Sequence, residues 1–409
     1  MLTTDLDRMS EKISKFSEFG ALEGGGIQRL SLSEAAIAAR TEFKRRVTEL
    51  GMTFETDDVA NMYATFPGTE PGLPRIVVGS HMDSVRSGGN YDGIYGVLSG
   101  LEVAETIIKS GIKLRHPITV MVWTNEEGAR FEPAMMCSGI VLNKFSKEKM
   151  LGVVETGGTV TFGEALAASG FVGDEKNRLN PNDYCAYFEP HIEQGPVLED
   201  EGLDIGIVDG VVGMVNYDII LEGMACHAGT FPQNKRKDAL RAASQVILEL
   251  WDKIGALAPD IVFTMGEISC HPNVHTIVPA RIKFSLDSRH KDMDVIARVV
   301  DIIKNLPKEV CGCKLSYEEH WGRTTIRFND KMLGFVENAV KGLGYKYNHM
   351  YSGAGHDAQY VSEMLPAVML FIPSKDGLSH TVVEYSSPEQ CWNGANVLLN
   401  ALVEADGAL

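Results

Sequence analysis

Residues 75–128, RIVVGSHMDSVRSGGNYDGIYGVLSGLEVAETIIKSGIKLRHPITVMVWTNEEG, contain two short runs, Arg75 to Val78 and Ile118 to Thr124, that are nearly all apolar. Apolar residues at every position, with no alternation, mark strands buried on both faces. Between them, Ile94 to Lys109 spaces its apolar residues as a helix does. A buried strand, a helix and a second buried strand make an α/β unit.

Upstream, Ser31-Leu-Ser-Glu34 reads as a capping box opening an amphipathic helix to Leu50, with Gly51 placed to end it. Asn61 to Phe66 is a further short β-rich run. From about residue 211 to 325 the order changes to strand Val215 to Leu221, helix Asp238 to Ile254, strands Ile261 to Ser269 and Arg281 to Asp287, helix Met293 to Leu306, and strand Lys314 to Glu319. That βαββαβ order matches the split βαβ sandwich. It predicts a second domain, 211–325, inserted into a first made of 1–210 and 326–409. Alternation then resumes with a helix from Lys331, an apolar strand Ala367 to Ile372 and a closing helix Pro388 to Leu402.

The chain has 409 residues, 44% hydrophobic and 23% charged, enough apolar material for more than one core. Its formal net charge of -17 is spread along the chain, which disfavours a nucleic acid or an anionic membrane as partner. Apolar runs break well before the roughly 18 residues of a membrane span. The opening MLTTDLDRMSEKISKF lacks the apolar core of a signal peptide, so a cytoplasmic location is expected. The 7 cysteines are odd in number and scattered, a pattern of reduced thiols and not of a disulfide framework.

Polar residues cluster where the buried strands end. His81-Met-Asp83 follows the first, Asn90-Tyr-Asp92-Gly93 precedes the helix, and Asn125-Glu126-Glu127-Gly128 follows the second. Open α/β sheets gather ligands beyond the carboxyl ends of their strands, so these clusters are expected to share a crevice. His191, in Glu189-Pro-His-Ile-Glu-Gln194-Gly195, and His380, in Asp376-Gly-Leu-Ser-His380, stand in similar punctuation. Imidazole and carboxylate without thiolate suit zinc, manganese, cobalt or nickel, and an open coordination position lets such an ion generate hydroxide near neutral pH. Five such ligands, one a bridging carboxylate, suffice for two ions, and the other carboxylate of the Glu-Glu pair would be a base. Singly each piece has a plainer reading. A histidine after a strand is more often structural, Glu-Glu before Gly is usually a solvated turn, and Asp92 reads equally well as a helix N-cap. Their occurrence together and in this order favours the metal site.

The ordered set His81-Met-Asp83-Ser, Gly89-Asn-Tyr-Asp92-Gly, Asn125-Glu-Glu-Gly-Ala-Arg-Phe131, Pro190-His-Ile-Glu-Gln-Gly195, Cys226-His-Ala-Gly229, Ser352-Gly-Ala-Gly-His-Asp357 and Gly377-Leu-Ser-His380 resembles the hydantoinase/carbamoylase family of amidases. That family lies within the di-zinc aminoacylase and carboxypeptidase superfamily, and the resemblance spans about residues 20 to 400. It implies a di-metal aminopeptidase-like catalytic domain with an inserted ferredoxin-like lid that also forms a homodimer. It implies His81 and His191 on one ion, Glu127 and His380 on the other, and Asp92 bridging. Glu126 becomes the general base, and Asp83 the carboxylate that orients His81. His227 would help polarise the scissile carbonyl or carbamoyl oxygen across the dimer interface, as an oxyanion stabiliser. Arg289 would grip a substrate carboxylate through its guanidinium fork, with Gln194, Thr276, Gly355 and His356 at further substrate-facing positions.

The chain departs from the family pattern at Thr276, where Asn is usual, at Cys137-Ser138, where Gly-Ser is usual, and at Phe231-Pro-Gln, where Thr-Pro-Met is common. These bear on substrate and leave every ligand and the base in place. The expected reaction is cleavage of the C–N bond of an N-carbamoyl amino acid by a metal-bridging hydroxide, releasing L-amino acid, CO2 and ammonia. Allantoate hydrolysis, N-acyl-amino-acid or dipeptide hydrolysis, and a non-catalytic binding protein of the same fold are the rivals. Filled ligand and base positions speak against the last.

Overall fold

The first apolar run extends further than its pattern implies: the strand is Arg75–His81, and His81 is its last residue. It lies parallel to Ile118–Trp123 on one side and to Tyr184–Ile192 on the other. The helix Ile94–Ser110 joins the first two. Parallel neighbours need such a crossover, and its burial on nearly every side explains its apolar composition. The computed structural model describes residues 1–70 and 72–409, and the chain divides into one unit of Met1–Gly210 with Arg327–Leu409 and another of Val211–Ile326.

A nine-stranded mixed sheet runs in the order Thr53–Thr56, Met62–Phe66, Ile118–Trp123, Arg75–His81, Tyr184–Ile192, Ala367–Ile372, Ile205–Val211 and Ile326–Arg327, with Tyr347–Ser352 also paired to Ile205–Val211. Tyr184–Ile192 is central and buried, yet the sequence pattern does not announce it, because Glu189, Pro190 and His191 interrupt its apolar run. The expected capping box is corrected: the helix is Glu34–Glu49, and Ser33, not Ser31, caps it by accepting the Ala36 N–H. An unexpected N-terminal helix, Leu6–Ser17, is tied down by buried Lys12, whose Nζ lies 2.7 Å from Glu102 and 2.6 Å from Glu105. The closing helix Pro388–Ala408 starts with a true capping box, Ser387 with Gln390.

The second unit holds a six-stranded sheet in the order Ile268–His271, Arg281–His290, Gly213–Glu222, Cys313–Arg323 and Glu309–Val310, with Val262–Thr264 also paired to Arg281–His290. The pairings are antiparallel. Helices Ala239–Gly255 and Met293–Lys304 pack Val246, Leu250, Val299 and Ile303 against Tyr217, Ile219, Phe284 and Leu286. The single strand expected over Ile261 to Ser269 is two, Val262–Thr264 and Ile268–His271. They break where the Glu267 N–H donates 2.9 Å to the Ser285 hydroxyl instead of to a strand carbonyl. All 7 cysteines are free thiols, and among the described residues no helix is long and apolar enough to cross a membrane.

Candidate active site

Asp92 precedes Gly93, which occupies the N-cap of the Ile94–Ser110 helix without any side-chain cap. The N-cap reading of Asp92 therefore does not hold, and its carboxylate is left to other partners. Oδ1 lies 3.5 Å from His81 Nε2 and 3.3 Å from His191 Nε2. Oδ2 lies 3.2 Å from His380 Nε2, which is itself 3.3 Å from Glu127 Oε2. Two groups of donor atoms result, His81–Asp92–His191 and Asp92–Glu127–His380, sharing one carboxylate. Glu126 stands beside them with Oε2 3.6 Å from His81 Nε2.

Strand ends place the two buried histidines, and backbone carbonyls orient them. His81 Nδ1 is 3.0 Å from the Asp83 carbonyl and His191 Nδ1 is 3.0 Å from the Ile192 carbonyl. A ring that donates from Nδ1 presents the Nε2 lone pair to the site. The Asp83 carboxylate, expected to orient His81, lies 4.0 Å from His81 Nδ1, an ion-pair contact and not a hydrogen bond. It also accepts the N–H groups of Glu126, at 3.3 Å, and Glu127, at 3.2 Å. Asp83 orders the turn carrying both glutamates.

The donor set fits divalent ions. His191 Nε2 and Glu127 Oε1 are buried without any hydrogen-bond partner, an arrangement that is costly unless something fills it. Protons compensate the crowding of charge in the chain alone. Burial opposes ionisation of Asp92, yet the facing imidazoles of His191, His380 and His81 hold its carboxyl well below the ordinary range. Burial likewise disfavours the His81 cation, but the charge of Glu126 and the bond to Asp92 raise its pKa. The hydrogen bond to Asp92 lifts His380 to about 9, and burial with the neighbouring Asp92 charge lifts Glu127 to about 8. Burial is also the leading cause that pushes Glu126 up. Divalent cations would replace these protons.

Gln194, at a positive φ of 58°, donates from Nε2 to Asp92 Oδ2 at 2.8 Å. His356 is buried, with Nε2 2.9 Å from the Ser352 hydroxyl and its ring centroid 4.5 Å from that of His191. Gly355 lies in the same turn. Sequence reasoning missed Glu189, which accepts from Ser80 at 3.0 Å, Tyr187 at 3.1 Å and the Ala358 N–H at 2.9 Å beneath the histidines. It also missed Asp357, buried and hydrogen-bonded to Ser138. A carboxylate two residues before His191, directly after the apolar Ala186 to Phe188, was the available signal for Glu189.

In the second unit, His227 belongs to the short strand Cys226–His227 paired with Ile277–Val278. Its Nδ1 accepts the N–H groups of Gly229 at 3.0 Å and Thr230 at 3.2 Å. The Thr276 carbonyl accepts the Ala228 N–H at 2.9 Å, so Thr276 borders the same turn. Arg289, on the strand Arg281–His290, points its fork at Asp287, with Nε 2.8 Å from Oδ1 and Nη2 3.3 Å from Oδ2.

Residues 77–404 match the model of peptidase family M20/M25/M40. The chain is 34% identical to the N-carbamoyl-L-amino-acid amidohydrolase of Rhizobium meliloti, over 97% of this chain and 96% of that one. It is 32% identical to the allantoate amidohydrolase of Bacillus subtilis (strain 168), over 96% of each. Among solved structures, an amidase of the hydantoinase/carbamoylase family from Burkholderia multivorans superposes with a TM-score of 0.90 at 37% identity, covering 98% of both chains.

Proposed function

The chain belongs to peptidase family M20/M25/M40 and to its hydantoinase/carbamoylase amidases, hydrolases of amide C–N bonds, and from that premise we propose that it hydrolyses an N-carbamoyl amino acid to L-amino acid, CO2 and ammonia. The observation that carries this reading is the shared Asp92 carboxylate, one oxygen facing His81 and His191 and the other facing His380, with Glu126 alongside.

His81 and His191 would hold one divalent ion, Glu127 and His380 a second, and Asp92 would bridge them. The imidazole and carboxylate donors suit zinc, manganese, cobalt or nickel. When bound, the ions would supply Lewis acidity, polarising the scissile carbonyl and making water easier to deprotonate. Glu126 takes the proton of the attacking water on its carboxylate and delivers it to the leaving nitrogen. Asp83 keeps Glu126 and Glu127 in register through their backbone N–H groups.

The inserted unit is read as a ferredoxin-like lid and as the surface of a homodimer. The sheet order Ile268–His271, Arg281–His290, Gly213–Glu222, Cys313–Arg323 supports the ferredoxin-like reading. His227 would stabilise the developing oxyanion. Arg289 would exchange Asp287 for the substrate carboxylate, a planar anion matching its fork. Gln194, Thr276, Gly355 and His356 complete the substrate-facing set.

The second reading, allantoate as substrate, has the Bacillus subtilis relative in its favour. Assay of zinc-, manganese-, cobalt- and nickel-reconstituted protein against N-carbamoyl amino acids, allantoate, N-acetyl amino acids and dipeptides separates the readings. Ammonia release with carbamoyl amino acids is expected. Ammonia from allantoate alone, or turnover only of acetyl or dipeptidyl substrates, would replace the first reading.

A further inference from the structure

Glu384 is 4% exposed and has no part in the chemistry above, yet its carboxylate ties together the two loops that bear Asp92 and His380. Its Oε1 accepts the N–H groups of Tyr91 and Asp92, each at 3.0 Å. Its Oε2 accepts the Ser379 hydroxyl at 2.8 Å, and that hydroxyl also lies 3.1 Å from Asp92 Oδ2. A turn closed by the Glu384 N–H on the Thr381 carbonyl, at 3.1 Å, follows directly on His380. On the other loop, Gly89 lies so close to the Glu384 side chain that a Cβ there would collide with it.

The two ion pockets are not held equally well. His81 and His191 belong to strands of the central sheet, where His81 pairs with Trp123 and His191 with Phe371. His380 is half exposed, sits in a loop and has a positive φ of 55°. No strand sets its distance from Asp92, whereas the Glu384 carboxylate bonds to both loops.

We propose that Glu384 is a positioning residue that sets the spacing of Asp92 and His380 and thereby holds the ion on Asp92, Glu127 and His380. The inference rests on the two-ion reading of the site. Groups that orient metal ligands through hydrogen bonds typically contribute about 10- to 100-fold in affinity. The effect of removing Glu384 should fall on one ion and spare the other.

Full-length chain, stripped by a chelator and titrated with zinc against a chromophoric competitor, tests this. His380→Ala identifies which binding step belongs to the strapped pocket. Glu384→Leu removes all three acceptor contacts and should weaken that step by about 10- to 100-fold while leaving the other within about twofold. Glu384→Gln keeps an oxygen for the two N–H groups and can donate to Ser379, so it should stay within about threefold of the parent. Equal weakening of both ions, an unchanged strapped step, or a Gln variant as impaired as Leu overturns the proposal. If Glu384→Leu does not fold, Ser379→Ala decides: selective weakening of the same step supports the strap, and parental affinity overturns it. A parent chain that binds fewer than two zinc ions would instead refute the two-ion reading.

Discussion

Replacing Gly93 by alanine tests how closely the first turn of the Ile94–Ser110 helix abuts the end of the Arg75–His81 strand. A Cβ on Gly93 would fall deep inside van der Waals contact with Cε1, Nε2 and Nδ1 of the His81 ring. To restore carbon separations of about 3.5 Å the imidazole would have to withdraw by roughly 1 Å. Misplacement of that size in a reacting constellation costs on the order of 10²-fold in rate. Gly93 also sits at φ 65° and ψ -53°, the centre of a γ-turn closed by the Ile94 N–H on the Asp92 carbonyl, a strained backbone for an L side chain. Gly111→Ala separates the two effects, because Gly111 has a φ of 66° with nothing within 4 Å of an added Cβ. Both variants should melt earlier than the parent. Only Gly93→Ala should lose affinity for the ion on His81, Asp92 and His191 and show kcat/KM reduced by about 10²-fold. Metal titration by chelator competition, hydrolysis kinetics and thermal melts measure all three. If the two alanine variants lose metal affinity and activity equally, backbone strain alone is at work and the reasoning about the His81 ring is wrong.

Glu126→Gln should lower kcat by at least the roughly 10²- to 10⁴-fold typical of a lost general base while metal content stays near parental. Glu127→Gln should instead lower zinc occupancy by elemental analysis, and reversed phenotypes would exchange the two roles. Treatment with a chelator should abolish hydrolysis, and zinc, manganese, cobalt or nickel should restore it; full activity in metal-free chain would exclude the metal mechanism. Acid should loosen the N-terminal helix. Burial alone would raise the Glu105 carboxyl, but hydrogen bonds from Lys109 and Lys12 outweigh it and bring it down to about 2 from 4.5. A depressed carboxyl contributes stability above its unfolded value, lost as pH falls from about 4.5 towards about 2. Urea midpoints across that interval should therefore fall less steeply for Glu105→Gln than for the parent, and parallel curves would count against the ion pair.

The α/β character of the first unit was legible because a strand buried on both faces must be apolar at nearly every position, and Ile118–Trp123, Thr119 apart, and Ala367–Ile372 are. The αβ alternation of the second unit was legible because its helices Ala239–Gly255 and Met293–Lys304 each bury one face. Polar residues at strand ends, His81, Asp92, Glu126 and Glu127, stood out against that background. Less legible were elements whose burial depends on partners distant in the chain. Tyr184–Ile192 carries Glu189 and His191 through the middle of a sheet, which is tolerable only because Ser80, Tyr187 and the Ala358 N–H meet the Glu189 carboxylate there.

The sequence by itself determined which residue types stand at which turns, and so the chemistry available: imidazoles, carboxylates and no thiolate at the strand ends. Only the tertiary structure decided which atoms meet. Asp83 offers its carbonyl to His81 and its carboxylate to the backbone of Glu126 and Glu127, two roles one side chain's identity does not distinguish. Glu384 reaches the Asp92 N–H across a sequence separation of 292 residues. Local patterns record whether a side chain prefers water or the interior; they carry no information about direction, and hydrogen bonds and ion sites depend on direction to within fractions of an ångström.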